Sequence, residues 1–418
     1  VGGREVLDFA FVSEGGNIGP AGDFETARKA YPTHPVRTFG PGTIVVPGFI
    51  NGHSHAYQIL LRGWADDLTF AKWRSDALYR IVPRLQPDDI YWTFVAAFVE
   101  MLSAGITTVV EFFYLNGAGN AHAEAAIQAA RDTGIRLVFA RTWMDAEYAP
   151  PAFCETLEQA QIRTAELIAK YPELTICVAP HSVHAASPPM IQASMKFAQE
   201  RNLYVHIHVA EAQYEGEQTK AAHGATPVEL LHRLDVLNER LVAVHAIYIS
   251  ETEKKLLASA GARVVHNPMT NQYLGDGICD VRGLAALGVP MALGTDADLK
   301  PSLIEEMRAA SLLQKLDARD GSAFGAAASF DLATAQGARA LGLPAGDLKE
   351  GFAADFIVLD ASRIDPWSPA VNAIVYRAEN SWIQETYVSG KRVYGGERSA
   401  LAARAGDALT ELAKTLDI

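Results

Sequence analysis

Within Pro47-Gly48-Phe49-Ile50-Asn51-Gly52-His53-Ser54-His55, a short apolar run over residues 47–51 ends in polar residues. A stretch of helical character follows. The same figure recurs at 107–113, 137–142, 175–180, 204–210, 241–246, 262–267 and 290–295. Many of these runs are rich in Val and Ile. The segments between them carry Ala, Leu, Glu and Lys at helical spacing, as in 191–200 and 251–260. Strands alternating with helices imply parallel βα units. Eight is the number at which such a sheet closes, so an α/β fold with a (β/α)8 TIM-like barrel over 47–347 is expected.

The two ends of the chain read differently. Residues 1–46 and 348–396 are punctuated by Gly and Pro, with short apolar pieces such as Thr43-Ile44-Val45-Val46 and Phe356-Ile357-Val358-Leu359. Both have the texture of short antiparallel strands with turns. Pairing them yields one small composite β domain, a β-sandwich built from both ends. Residues 397–418 read as a helix, with its apolar face over 400–416, docked on the barrel.

The chain has 418 residues, of which 49% are hydrophobic and 20% charged. Lys and Arg number 36 against 49 Asp and Glu, a formal charge of −13. That balance disfavours nucleic acid or an anionic membrane as the partner and leaves a small-molecule substrate. Cys154, Cys177 and Cys279 are too scattered for a disulfide framework. With no secretory n- and h-region and no long apolar run, a cytoplasmic protein is expected.

Eight of the 12 histidines fall at or just beyond expected strand ends: His53, His55, His181, His184, His206, His208, His245 and His266. In a βα barrel those ends build the active site. Alternation along a strand puts His53 and His55 on one side, within reach of one ion. A bare His-x-His pair fits a structural role equally well. His208 near the end of the fifth run and Asp296 at the end of the eighth strengthen the reading as a metal site. Three imidazoles and a carboxylate suit one divalent cation, Zn²⁺ above all, with Fe²⁺ also chemically admissible.

This arrangement resembles the deaminase branch of the amidohydrolase superfamily. The resemblance implies His53, His55, His208 and Asp296 as metal ligands. It implies Glu211 as the proton shuttle, His245 as the residue orienting the attacking water, and Asp296 as the acceptor of that water's proton. A homodimer is also what it suggests. Binuclear relatives bridge their ions with a lysine on strand four or with another strand-end carboxylate. The fourth run, Ile176-Cys177-Val178-Ala179-Pro180-His181, has no Lys, so one metal is expected, with Glu111 as the residue that could support a second.

Within that branch, His53-Ser54-His55-Ala56-Tyr57-Gln58, Trp73-Arg74, Glu111-Phe112-Phe113-Tyr114 and His181-Ser182 look most like formimidoylglutamate deiminase. That likeness makes Gln58, Arg74, Tyr114 and His181 substrate-binding, with His184 where the family has a second arginine. The leading expectation is release of ammonia from a formimino-amino acid or a similar amidine. The alternative is aminohydrolysis of a purine-, pterin- or triazine-like ring, to which His266-Asn267-Pro268 and Asn271 point. A reading from another class is a non-catalytic scaffold on the same fold. Residues 57–81, long and aromatic, are expected to form a lid, and 144–151 a second wall.

Overall fold

The computed structural model describes residues 9–64, 66–397 and 399–418; the start of the expected composite β domain, 1–8, lies outside them. Among the described residues no helix is long and apolar enough to cross a membrane.

The barrel consists of eight parallel strands that neighbour one another in chain order: β4 (Phe49–Ser54), β5 (Ile106–Phe113), β6 (Arg136–Trp143), β7 (Thr175–Pro180), β8 (Val205–Val209), β9 (Leu241–His245), β10 (Arg263–His266) and β11 (Met291–Leu293). Each expected run coincides with one strand, with ends shifted by up to three residues. The strands are almost wholly buried because helices cover their outer faces, which is why they read as continuous apolar runs rather than alternating ones. The helices begin and end where local chemistry requires. In the helix Glu251–Ala260, Ser250 Oγ accepts from Glu253 N at 3.3 Å, and Glu253 Oε2 accepts from Ser250 N at 2.8 Å. Gly261, at φ 69°, ends it in the left-handed conformation.

No regular ladder joins β11 back to β4. The seam closes at its C-terminal end instead, where His55 N donates to Asp296 O at 2.8 Å and Asp296 N to His53 O at 2.9 Å. Just inside, Asn51 Oδ1 accepts from Thr295 N at 3.0 Å, and Asn51 Nδ2 donates to Thr295 Oγ1 at 2.6 Å.

Both chain ends contribute to the second sheet. β3 (Thr43–Pro47), β12 (Phe356–Asp360), β13 (Ile383–Val388) and β14 (Lys391–Tyr394) form an antiparallel sheet with Val45 opposite Val358. A hairpin of β1 (Phe9–Glu14) and β2 (Asn17–Asp23) covers it, with Phe11 edge-on to Phe356, whose ring stacks on Tyr387 at 4.3 Å. The sandwich is thus unequal, four strands against two. The terminal helix Ala400–Leu416 lies along the helix Pro87–Ser103.

Asp355 fastens this sheet to the barrel. Its carboxylate accepts from Arg136 Nε at 2.9 Å and Nη2 at 3.0 Å on β6, and from Ser389 N at 2.7 Å. Its carbonyl accepts from Gly48 N at 3.0 Å, the single residue between β3 and β4. A Cβ at Gly48 would lie 2.2 Å from Thr107 Oγ1, so that junction admits only glycine. Removing the buried carboxylate leaves the half-buried Arg136 guanidinium and the Ser389 N–H without their acceptor. Asp355→Ala is therefore expected to lower the unfolding free energy by about 3 kcal/mol, read from urea melts. A loss within about 0.5 kcal/mol, the usual size for surface changes, would show that the clamp carries little.

Candidate active site

Six of the eight strand-end histidines converge at the C-terminal mouth of the barrel. His53 and His55 extend from β4 on one face, their ring centroids 4.7 Å apart. His208, at the end of β8, brings its Nε2 to 3.2 Å from His53 Nε2. Asp296 follows β11, with Oδ1 3.2 Å from His53 Nε2 and 3.4 Å from His55 Nε2. His245 ends β9, and its Nε2 lies 3.8 Å from Asp296 Oδ2 and 3.7 Å from Glu211 Oε1. His181 and His184 stand beside them. His206, one pleat earlier on β8, and His266 are buried but add no donor to this cluster.

The backbone bends sharply to bring these groups inward. Ala210, His245 and Asp296 adopt φ of 52°, 74° and 55°, a region costly for non-glycine residues and typical of sites whose surroundings over-determine them. Gly294 lets the end of β11 press against β4, since a Cβ there would lie 2.4 Å from Asn267 Oδ1 and 2.9 Å from His53 N.

The chemistry of these donors fits a divalent cation. Burial, first of all, and then the neighbouring histidines push His53 well below the ordinary imidazole value. Burial and then His53 do the same for His55, and burial lowers His208 against the pull of Asp296. Neutral imidazoles are what a metal binds. His55 Nδ1 donates to Phe112 O and His208 Nδ1 to His181 O, both at 2.8 Å. A carbonyl only accepts, so both rings present an Nε2 lone pair to the cluster. Donor atoms of His53, His208, His245 and Asp296 all lie within 4.8 Å of one another, and His55 Nε2 flanks the same Asp296 oxygen.

Glu111 is engaged by its own neighbours. Its carboxyl accepts from Ala56 N at 3.0 Å and lies 3.2 Å from Ser54 Oγ, pushed well above the ordinary glutamate value by burial. Ser54, between the two histidines, faces the other way and donates to Asp298 Oδ2 at 2.6 Å. Thr295 Oγ1 also donates to Asp298. Asp298 and Glu111 therefore brace the segments that carry His53, His55 and Asp296. Sequence reasoning missed this brace. The signal was available: the middle residue of His-Ser-His must point away from the ion and needs a partner.

Glu211 lies beside His245, pushed well above the usual carboxylate range by burial, then by Asp276 and Asp296. Above the cluster is a cavity lined by Gln58, Arg74, Tyr114, His181 and His184, all five of the expected binding residues. Phe70, Trp73 and Tyr79 of the 57–81 segment line one wall, and Met144 and Tyr148 another. Gln58 Nε2 donates to Tyr114 Oη at 3.0 Å. Arg74 sits half-buried among Phe70, Tyr79 and Tyr148, 5.6–5.8 Å from each ring. His184 is lowered to about 4 by burial, then by His208 and Arg74. It is neutral near pH 7 and supplies no second positive charge.

The match to known proteins agrees with this geometry. The amidohydrolase family matches residues 44–393. A 5-methylthioadenosine/S-adenosylhomocysteine deaminase of Thermococcus sibiricus is 32% identical over 357 residues, 84% of this chain and 82% of that protein. A 5'-deoxyadenosine deaminase of Methanothermobacter thermautotrophicus is 31% identical over 358 residues, 84% and 82%. The crystal structure of an adenosine deaminase from Xanthomonas campestris with bound zinc superposes with a TM-score of 0.89 at 27% identity, over 98% of this chain and 94% of that one. These relatives favour the ring-deaminase alternative over the formimino-amino-acid expectation, and they are named enzymes rather than scaffolds. The neutral His184 is the physical reason: a dicarboxylate would face one arginine and no second cation.

The purified chain is expected to take up about one equivalent of divalent cation, with Asp296→Asn and His208→Ala each weakening uptake at least 10-fold. Elemental analysis after dialysis checks this. Unchanged stoichiometry in both variants would refute the cluster as the binding site.

Proposed function

The chain belongs to the amidohydrolase family, a hydrolase acting on carbon–nitrogen bonds, and from that premise we propose that it deaminates an adenosine-type ring at a single zinc site. The observation that carries the reading is the pairing of Glu211 Oε1 and Asp296 Oδ2 on either side of His245 Nε2, beside the lone pairs of His53, His55 and His208.

His53, His55, His208 and Asp296 would hold the ion, which supplies acidification of water and so a nucleophile at neutral pH. Zinc is assigned because three neutral imidazoles and one carboxylate are a donor set it favours. Asp296 Oδ2 accepts a proton from the attacking water. Glu211 gives its carboxyl proton to the ring nitrogen next to the carbon under attack. The carbon–oxygen bond forms and the carbon–nitrogen bond breaks. The exocyclic nitrogen departs as ammonia, with the proton first taken by Asp296 returned to it, and the proton of the added hydroxyl passes to Glu211 as the carbonyl forms. His245 donates toward the oxygen at that carbon.

His181 and Tyr114 face the ring, and Gln58 holds the Tyr114 hydroxyl. Arg74, with no carboxylate partner among the described residues, is placed to receive an anionic tail on the substrate. The aromatic lid residues exclude water and offer stacking surface.

Ammonia release should be measured from adenosine, 5'-deoxyadenosine, 5'-methylthioadenosine, S-adenosylhomocysteine and N-formimino-glutamate. Turnover of at least one adenine nucleoside is expected. Turnover of N-formimino-glutamate alone would overturn the proposal. Glu211→Gln should lower kcat by about 10²-fold or more with the metal content unchanged. For Arg74→Ala, kcat/KM for S-adenosylhomocysteine should fall about 10-fold while that for uncharged nucleosides barely moves.

A further inference from the structure

His245 differs from the other histidines of the cluster in what faces its Nδ1. His55 and His208 meet carbonyl oxygens there, which forces the proton onto Nδ1 and the lone pair onto Nε2. His245 Nδ1 meets amide nitrogens instead, Asn271 Nδ2 at 3.0 Å and Asn267 Nδ2 at 3.4 Å. Which end of an amide is nitrogen must be decided from its partners. Here one partner decides it: the same Asn271 Nδ2 lies 3.3 Å from Asp276 Oδ2, and although burial pushes Asp276 up to about 7, its ionised form only accepts and is the form this hydrogen bond favours. One Asn271 N–H is thereby committed to Asp276 and the other directed at His245 Nδ1.

The arrangement is sealed from water, with Asn271 and Asp276 only 1% and 4% exposed. It is also built locally. Asn271 lies in the helix Pro268–Leu274 that follows β10, and Asp276 N donates to Asn271 O at 2.9 Å, closing the turn that returns the carboxylate to its partner. Neither residue lines the cavity. At the far side of the ring, His245 Nε2 has no hydrogen-bond partner among the described residues and points between Glu211 and Asp296.

We propose that Asn271 and Asp276 are positioning residues that hold neutral His245 in its Nε2–H tautomer. A ring whose Nδ1 accepts must carry its proton on Nε2. His245 is then a hydrogen-bond donor to the oxygen at the reacting carbon and withholds a lone pair from the ion, although its Nε2 lies within the ligand cluster. The pair thus sorts the histidines into cation ligands and one donor. This inference rests on the deaminase reading for its consequence in catalysis, but not for the tautomer itself.

The test is a long-range ¹H–¹⁵N correlation spectrum of zinc-loaded protein carrying ¹⁵N-histidine, with the His245 signals assigned by their loss in His245→Gln. The expected result is a proton on Nε2 in the substrate-free wild type. Asn271→Asp, nearly the same shape but offering only oxygens, should move it to Nδ1. The zinc content should remain as in the wild type, and kcat should fall about 10²-fold with KM within about twofold. A wild-type His245 protonated on Nδ1 would overturn the proposal, and so would an Asn271→Asp ring that keeps Nε2–H. If Asn271→Asp does not fold, the wild-type spectrum decides alone. Because the tautomer is read without substrate, failure of every adenine nucleoside to release ammonia would defeat the deaminase reading and leave this result standing.

Discussion

The join between the first and last barrel strands governs the site. Asp296 is at once a link in that join, through its N and O to His53 O and His55 N, and the carboxylate that His53 and His55 face. The donors therefore cannot be separated from barrel closure. Closing the cylinder buries the imidazoles, burial keeps them neutral, and neutrality leaves their lone pairs free. Assembling so many polar groups away from water is costly unless each has a partner. The carbonyls of Phe112 and His181 satisfy one nitrogen on each of two rings, and the remaining nitrogens face the place a cation would take.

A layer of ordinary polar residues supports this arrangement from behind. Asn51 grips Thr295, Ser54 joins Asp298, and Glu111 anchors Ala56. These side chains point away from the cavity, yet they determine where His53, His55 and Asp296 sit. A site of this kind needs its ligands held within a fraction of an ångström, and that rigidity comes from strands and their hydrogen bonds.

Much of this was legible in the sequence because barrel strands and strand-end histidines have strong local signatures. Runs such as 176–179 and 241–244 are apolar on both faces, so period and composition agree. β14 was not read from the sequence: Lys391-Arg392-Val393-Tyr394 is half-exposed at a sheet edge, where alternation is weak. His206 illustrates another limit. It shares a strand face with His208, and sequence spacing cannot say how deep along the strand each sits. The substrate was harder still. Its reading turned on whether His184 could replace an arginine, and that depends on how deeply the fold buries it.

The seam has one consequence for how the protein comes into being. Asn51 and Thr295 are 244 positions apart. A chain emerging from the ribosome exposes the His53–His55 strand long before its closing neighbour has been synthesised. The early half-barrel must wait with an unpaired edge, as contacts so distant in the chain form late. Assembly of the full set of donors is accordingly a terminal event of biosynthesis, possible only after the eighth strand has docked.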